Sequence, residues 1–241
     1  MLKTAAFFDV DGTLYRDSLM VEHFKKLIKY EVLDPSIWHG NAKRKFENWV
    51  KRHGDYEDYL LEIAQIYLDS MKGLDRDYIN FITDQVVKLK GERVYRFTRD
   101  RIKWHLNQKH EVIFISGSPS FLVEKMAQKY NVDYYIGTQY LIDDENKFTG
   151  EIVPMWESES KNKVIEEYVR KLDIDLDLSY SYGDTTGDFA MLSMVGNPVL
   201  INPIKKLVEL FQADENLKAK AKIIVERKDV IYQIPADVEI L

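Results

Sequence analysis

The sequence predicts an α/β fold, with a mostly parallel sheet covered on both faces and an all-helical insertion after the first strand. Three observations carry that reading. From about residue 93 onward, short apolar runs alternate with segments of helical spacing, the rhythm of crossover helices joining parallel strands. Another apolar run, Ala5-Ala6-Phe7-Phe8, lies far upstream of them. Between the two, residues 18–90 show helical periodicity with few turn signals and no clear strand. The expected organisation is a core from residues 1–16 and 92–241 and a helical insertion from 17–91.

Within the insertion, Phe24, Leu27 and Ile28 repeat at helical spacing, as do Tyr59, Leu60, Ile63 and Ile66. Asp34-Pro35 and His53-Gly54-Asp55 are the expected breaks. A helix over 97–108 leads to the strand Val112–Ile115, and Ser116-Gly117-Ser118-Pro119 opens a helix carrying Phe121, Leu122 and Met126. Tyr134–Ile136, Tyr140–Ile142 and Phe148–Val153, with the polar turn 143–146, read as a hairpin excursion. A helix over 160–171, a strand over 178–182, and short strands at 198–201 and 222–225 complete the pattern.

Hydrophobic residues make up 45% and charged residues 31% of the 241, the balance of a soluble globular protein. No apolar run approaches the ~20 residues of a membrane helix, and no signal-peptide pattern opens the chain. A cytoplasmic location is the default expectation. The formal net charge of −6 argues against broad nucleic-acid binding. The basic stretch from Lys43 to Arg52 is interleaved with Phe46, Trp49 and acids, as in a solvated helix face, with attraction of an anionic substrate as the second reading. The chain has no cysteine, and its five histidines show no ligand spacing, so a thiol nucleophile and a zinc site are not expected.

Three apolar strands end in polar residues: Phe8 into Asp9, Ile115 into Ser116, and Tyr182-Gly183 into Asp184. Ligands gather beyond the carboxyl ends of parallel strands, so Asp9, Asp11, Ser116 and Asp184 are expected to converge. Asp9 and Asp11 fall on one side of an extended chain, and their charges repel unless a cation or proton intervenes. Ser116-Gly117-Ser118-Pro119 suits an anion through helix-start amides and a hydroxyl, and Ser118 can equally be a plain N-cap. Lys161 falls in a first helical turn, where the macrodipole favours acids, and so points to an anionic neighbour; Lys163 competes for the role. Gly183-Asp184-Thr185-Thr186-Gly187-Asp188 adds two acids in a turn, and oxygen-only ligands indicate a hard cation, with Mg²⁺ as the expected one. Asp188 is read either as support for that site or as a helix cap.

Taken in order, Asp9-Val10-Asp11-Gly12-Thr13, Ser116, Lys161 and Gly183-Asp184…Asp188 resemble the four signature motifs of the haloacid dehalogenase superfamily of phosphohydrolases. The insertion, Ile115–Pro119 and the hairpin closing with Phe148-Thr149-Gly150 are similar to the phosphoserine-phosphatase-like branch. The resemblance implies a Rossmann-like three-layer core with a helical cap domain and a small phosphorylated metabolite as substrate. It implies Asp9 as nucleophile forming an aspartyl-phosphate and Asp11 as acid and then base. Mg²⁺ would be held by Asp9, Asp184 and the Asp11 carbonyl, with Asp188 nearby. The substrate's phosphate would be bound by Ser116, Gly117 and Lys161, with Gly12 and Thr13 as further substrate-binding residues.

The sequence departs from phosphoserine phosphatases at Ser18, where a substrate-reading glutamate is expected, and at Gly187, where an asparagine is expected. Tyr15, Arg16, Arg44 and Phe46 are the candidate cap contacts. A phosphotransferase or mutase would use the same motifs, and a phosphate-binding regulatory module is the alternative from another class. The long insertion and Asp11 count against the module.

Overall fold

The computed structural model of the chain describes residues 2–240. In order, the elements are β1 (Ala5–Phe8), α1 (Leu19–Lys29), α2 (Ser36–His39), α3 (Asn41–Val50), α4 (Tyr56–Met71), α5 (Arg76–Lys90), α6 (Arg96–Asn107) and β2 (Glu111–Pro119). There follow α7 (Ser120–Tyr130), β3 (Tyr134–Ile142), β4 (Phe148–Val153), α8 (Ser158–Leu172), β5 (Tyr180–Gly183) and α9 (Phe189–Ser193). The chain ends with β6 (Asn197–Ile201), α10 (Lys205–Gln212), α11 (Glu215–Lys220), β7 (Lys222–Arg227) and β8 (Val230–Pro235).

Among the described residues, the strands form one eight-stranded sheet in the order β4-β3-β2-β1-β5-β6-β7-β8. β1 pairs in parallel with both β2 and β5, with Phe8 level with Phe114 on one side and Tyr182 on the other. The chain therefore turns back across the sheet at β1, which is where an α/β sheet opens a crevice for ligands. The two edge strands, β4 and β8, run antiparallel to their neighbours.

Alternation along β1 divides the core, because successive side chains point to opposite faces. Ala5 and Phe7 pack with Ile113, Ile115, Val164, Ile165 and Met191 on the face covered by α8 and α9. Ala6 and Phe8 pack on the other face with Ile102 of α6 and Leu122 and Met126 of α7. That second core runs without interruption into the insertion through Phe24, Ile63, Tyr67 and Ile79. The chain leaves and re-enters the sheet side by side: Tyr95 N donates to Leu14 O and Arg16 N to Arg93 O, both at 2.9 Å. Helices fill the region the sequence assigned to them, and the chain breaks at both expected places: 30–35, where Asp34 caps Ser36 N at 2.7 Å, and 51–55.

Three expectations need correction. Ser118 does not cap α7; that position is taken by Pro119 with no side-chain cap, and the Ser118 hydroxyl is drawn to Asp11 instead. Residues 134–136 and 140–142 belong to one strand, β3, because the pairing with β4 extends the strand already laid against β2. The edge strand β8 was not foreseen, nor were α10 and α11. Among the described residues, no helix is long and apolar enough to cross a membrane.

His23 shows how the insertion is fixed internally. The Thr83 hydroxyl donates to Ile79 O, so it accepts from His23 Nε2–H at 3.2 Å. Nδ1 then accepts from the Tyr67 hydroxyl at 2.9 Å. Burial pulls the imidazole down to about 4, which keeps it neutral. Tyr67→Phe leaves Nδ1 buried without a donor and is expected to cost about 1–3 kcal/mol in urea unfolding. Unchanged stability would contradict this account.

Candidate active site

The carboxyl ends of β1, β2 and β5 deliver Asp9, Ser116 and Asp184 to one place, and α8 brings Lys161. All four side chains are buried. Lys161 Nζ donates to Asp9 Oδ1 at 3.0 Å and to Asp188 Oδ1 at 2.5 Å. Asp9, Asp184 and Asp188 each offer a carboxylate oxygen within 4.8 Å of the others.

The electrostatics of this cluster are unbalanced. Three buried carboxylates face one buried ammonium, so that full ionisation would leave two negative charges in excess. Burial, with Asp188 and Asp11 adding repulsion, pushes the Asp9 carboxyl up to about 8 even against the pull of Lys161. Asp184 is driven well above the usual carboxylate range, first by burial and then by Asp188 and Asp9. Burial disfavours the Lys161 charge as well, but the Asp188 and Asp9 carboxylates outweigh it and raise its pKa. A divalent cation would restore neutrality, and an all-carboxylate oxygen set suits a hard one. The residues present therefore fit a divalent metal.

Asp188 holds the turn together. Its Oδ2 accepts from Asp184 N at 3.0 Å, Thr185 N at 3.1 Å and the Thr185 hydroxyl at 3.3 Å. With Lys161 on Oδ1, it closes the turn and anchors the lysine, while its side chain makes no cap to α9, so the helix-cap alternative read from the sequence is not what the structure shows.

Gly12 and Thr13 touch Asp184 and line no part of the cleft. Gly12 has φ +82°, and a Cβ there would lie 2.0 Å from Asp184 Oδ2. The Thr13 hydroxyl donates to Asp184 Oδ1 at 3.0 Å. Their residue types are thus set by the carboxylate they cradle, and substrate contact, expected from the sequence, is not their use here.

The Asp11 carboxyl stands apart from the acidic cluster and is held by three donors. These are Ser118 Oγ at 2.6 Å, Ser18 Oγ at 2.9 Å and Leu19 N at 3.0 Å. Burial raises its pKa, with those hydrogen bonds working against the rise. Ser18, which replaces the expected glutamate, serves as this donor while its oxygen caps α1 by accepting from Val21 N.

A cleft of about 130 Å³ lies over Asp9, Asp11, Ser116, Gly117 and Lys161. It is also lined by Met20 of α1, by Leu60, Leu61 and Ala64 of α4, and by Trp156, which lies against Gly117. Gly187 also lines it, and a Cβ there would meet Trp156 O at 2.7 Å, so an asparagine does not fit without displacing backbone. Tyr15, Arg16, Arg44 and Phe46 do not line this cleft. Tyr15 is buried in the core, and Phe46 packs its ring on Trp38, Trp49 and Tyr59. Arg16 lies over Tyr95 beside a separate hollow, and Arg44 is exposed on α3. Sequence reasoning missed the wall on α4, although the helical spacing of Leu60 and Ala64 was there to see. It also missed Glu57 one turn earlier, whose Oε1 accepts from Thr186 Oγ1 at 2.6 Å and Thr186 N at 3.2 Å.

The raised acids would make the binding of a divalent metal at this cluster pH-dependent. In the metal-free fold Asp9 retains a proton that the unfolded chain releases above about pH 4, so its contribution to stability is lost as pH rises through about 8, and Asp184, raised by the same burial and repulsion, acts in the same direction. The buried His23 and His105, pulled down to about 4 and about 3, act the opposite way and independently of metal, destabilising the fold as pH falls below about 6.5. The rise in melting temperature produced by saturating Mg²⁺ is therefore expected to be small near pH 5 and about 5 °C near pH 8. Gly12→Ala, by displacing Asp184, is expected to remove it. An increment that does not grow with pH would contradict the charge argument.

The comparisons with known proteins fit this geometry. The family model for haloacid dehalogenase-like hydrolase matches residues 6–193, a span that contains every group of the site named from Asp9 to Asp188. The chain is 25% identical over 207 residues to the "inhibition of morphological differentiation protein" of Streptomyces azureus, covering 85% of this chain and 74% of that one. It is 25% identical over 213 residues to a phosphoserine phosphatase of Mycobacterium tuberculosis, covering 87% of this chain and 68% of that one. Its fold is similar to a solved phospho-aspartyl intermediate analogue of phosphoserine phosphatase, with TM-score 0.62, 19% identity, and 95% of this chain and 96% of that one covered. The chain belongs to the haloacid dehalogenase-like hydrolases.

Proposed function

We propose that this hydrolase is a Mg²⁺-dependent phosphatase that cleaves a small phosphate monoester through an aspartyl-phosphate on Asp9, with residues 17–91 acting as a cap over the site. The observation that carries the proposal is the buried Lys161 bridging Asp9 and Asp188 beside Asp184. A fully buried ammonium with a nucleophile on one side and an anchor on the other is placed to hold a phosphoryl oxygen.

In the first step an Asp9 carboxylate oxygen attacks phosphorus and the bond to the ester oxygen breaks. Asp11, its pKa raised by burial, gives its proton to the departing alkoxide. In the second step Asp11, now a carboxylate, takes a proton from water. The water oxygen attacks the phosphorus of the aspartyl-phosphate, and inorganic phosphate leaves with Asp9 restored. Ser116 and Gly117, on the floor of the cleft, would hold the phosphoryl oxygens with Lys161. Asp9, Asp184 and the Asp11 carbonyl would hold Mg²⁺, which when bound supplies the positive charge that keeps Asp9 ionised and offsets the phosphate. Asp188 would keep Lys161 and the Asp184 turn in place.

The test is turnover of a simple aryl phosphate. Activity is expected with Mg²⁺, to vanish with chelator, and to fall by roughly 10⁴-fold or more in Asp9→Asn. Lys161→Met is expected to be similarly damaging. Full activity in Asp9→Asn would remove the proposed nucleophile.

A further inference from the structure

The cleft is chemically two-ended. Its floor includes Asp9, Asp11, Ser116, Gly117 and Lys161, with Trp156 directly beside Gly117, and α1 and α4 add an apolar wall of Met20, Leu60, Leu61 and Ala64. Among the described residues, no charged side chain of α1–α5 lines it. Glu57, on the same helix as the leucines, has its carboxylate bound to Thr186. The Ser18 hydroxyl donates to Asp11. The wall therefore offers neither a carboxylate for an ammonium nor a cation for a carboxylate.

From this we infer that the leaving alcohol is uncharged and carries an apolar chain, so the substrate class is the alkyl phosphate monoesters and not the phosphorylated amino acids. The inference rests on the phosphatase reading above, since that reading sets the phosphate on the floor and turns the alcohol toward the wall. An amino-acid alcohol would bring an ammonium and a carboxylate out of water against aliphatic carbon, where neither finds a partner. An alkyl chain instead exchanges water for Leu60, Ala64 and the Trp156 ring. Leu61, 57% exposed, is the lining residue that reaches solvent and so marks the mouth of the cleft.

Burying a methylene is worth about fourfold in binding. With Mg²⁺ present, kcat/KM is therefore expected to climb about fourfold per carbon from methyl to butyl phosphate. Butyl phosphate is expected to exceed O-phosphoserine by at least roughly 100-fold. Leu61→Lys, a change at an exposed position that the fold tolerates, is expected to flatten the climb. A flat series in the unaltered protein, or a preference for O-phosphoserine, would overturn the inference. Methyl- to butylphosphonate, which cannot be hydrolysed, separate it from the phosphatase reading by calorimetry. If no ester turned over, that reading would fall, while affinity rising with chain length would still support the apolar wall and constant affinity would refute it.

Discussion

The constraint on which the site depends is charge neutrality in a buried space. Asp9, Asp184 and Asp188 converge with Lys161 as their buried counter-ion. Carboxylates brought this close out of water cannot all ionise without compensation. Two of the three acids are also bound by neutral donors: Thr13 on Asp184, and two amides and a hydroxyl on Asp188. What remains uncompensated has the magnitude of a divalent cation. The cluster is thus poorly suited to fold stability and well suited to an ion and a phosphoryl group.

The sheet explains how residues separated by most of the chain meet. Because β1 pairs with β2 and β5 in parallel, all three strands point to the same edge of the sheet, and Phe8, Phe114 and Tyr182 lie level. The next positions are Asp9, Ile115 leading to Ser116, and Gly183 leading to Asp184. No loop has to reach for the site. Lys161 needs a further element, and α8 supplies it from the face where Val164 and Ile165 pack on Phe7. The lysine lies one turn before those two core residues, so packing of the helix fixes its direction.

Much of this was legible in the sequence, for a definite reason. Polar residues at the ends of apolar strands are a local pattern, and so were Asp9, Ser116, Asp184 and the motif order that linked them to Lys161. The periodicity of residues 18–90 likewise revealed helices. The cleft wall was not legible because Leu60, Leu61 and Ala64 look like any amphipathic stretch; their use follows from how α4 is laid over the sheet. Tyr15, Arg16, Arg44 and Phe46 had the right chemistry for contacts, but tertiary packing directs Phe46 and Tyr15 into the main hydrophobic core. Ser118 read as a helix cap because its true partner, Asp11, is 107 positions away in the chain. β8 was missed because Val230–Pro235 is half-exposed and is recognisable as a strand only beside β7.

Asp11 ties the insertion to the chemistry. Two of its three donors, Ser18 Oγ and Leu19 N, lie at the first turn of α1, and the third is Ser118 at the end of β2. The bonds from α1 and Ser118 favour the ionised acid while burial favours the protonated one. Any movement of α1 away from the sheet weakens the first and lessens the second at the same time. The proton affinity of Asp11 therefore depends on where the insertion sits. At the opposite side of the cleft, Glu57 grips Thr186, which belongs to the turn that carries Asp184 and Asp188. The insertion thus touches the proton-handling end through α1 and the acidic cluster through α4. A residue such as Ser18 has two roles that no glutamate could fill, since a second carboxylate beside Asp11 would repel it instead of donating to it. The loss of a charged contact at position 18 and the apolar wall above it are then two sides of one arrangement, in which the acid is positioned by hydroxyls and the alcohol by carbon.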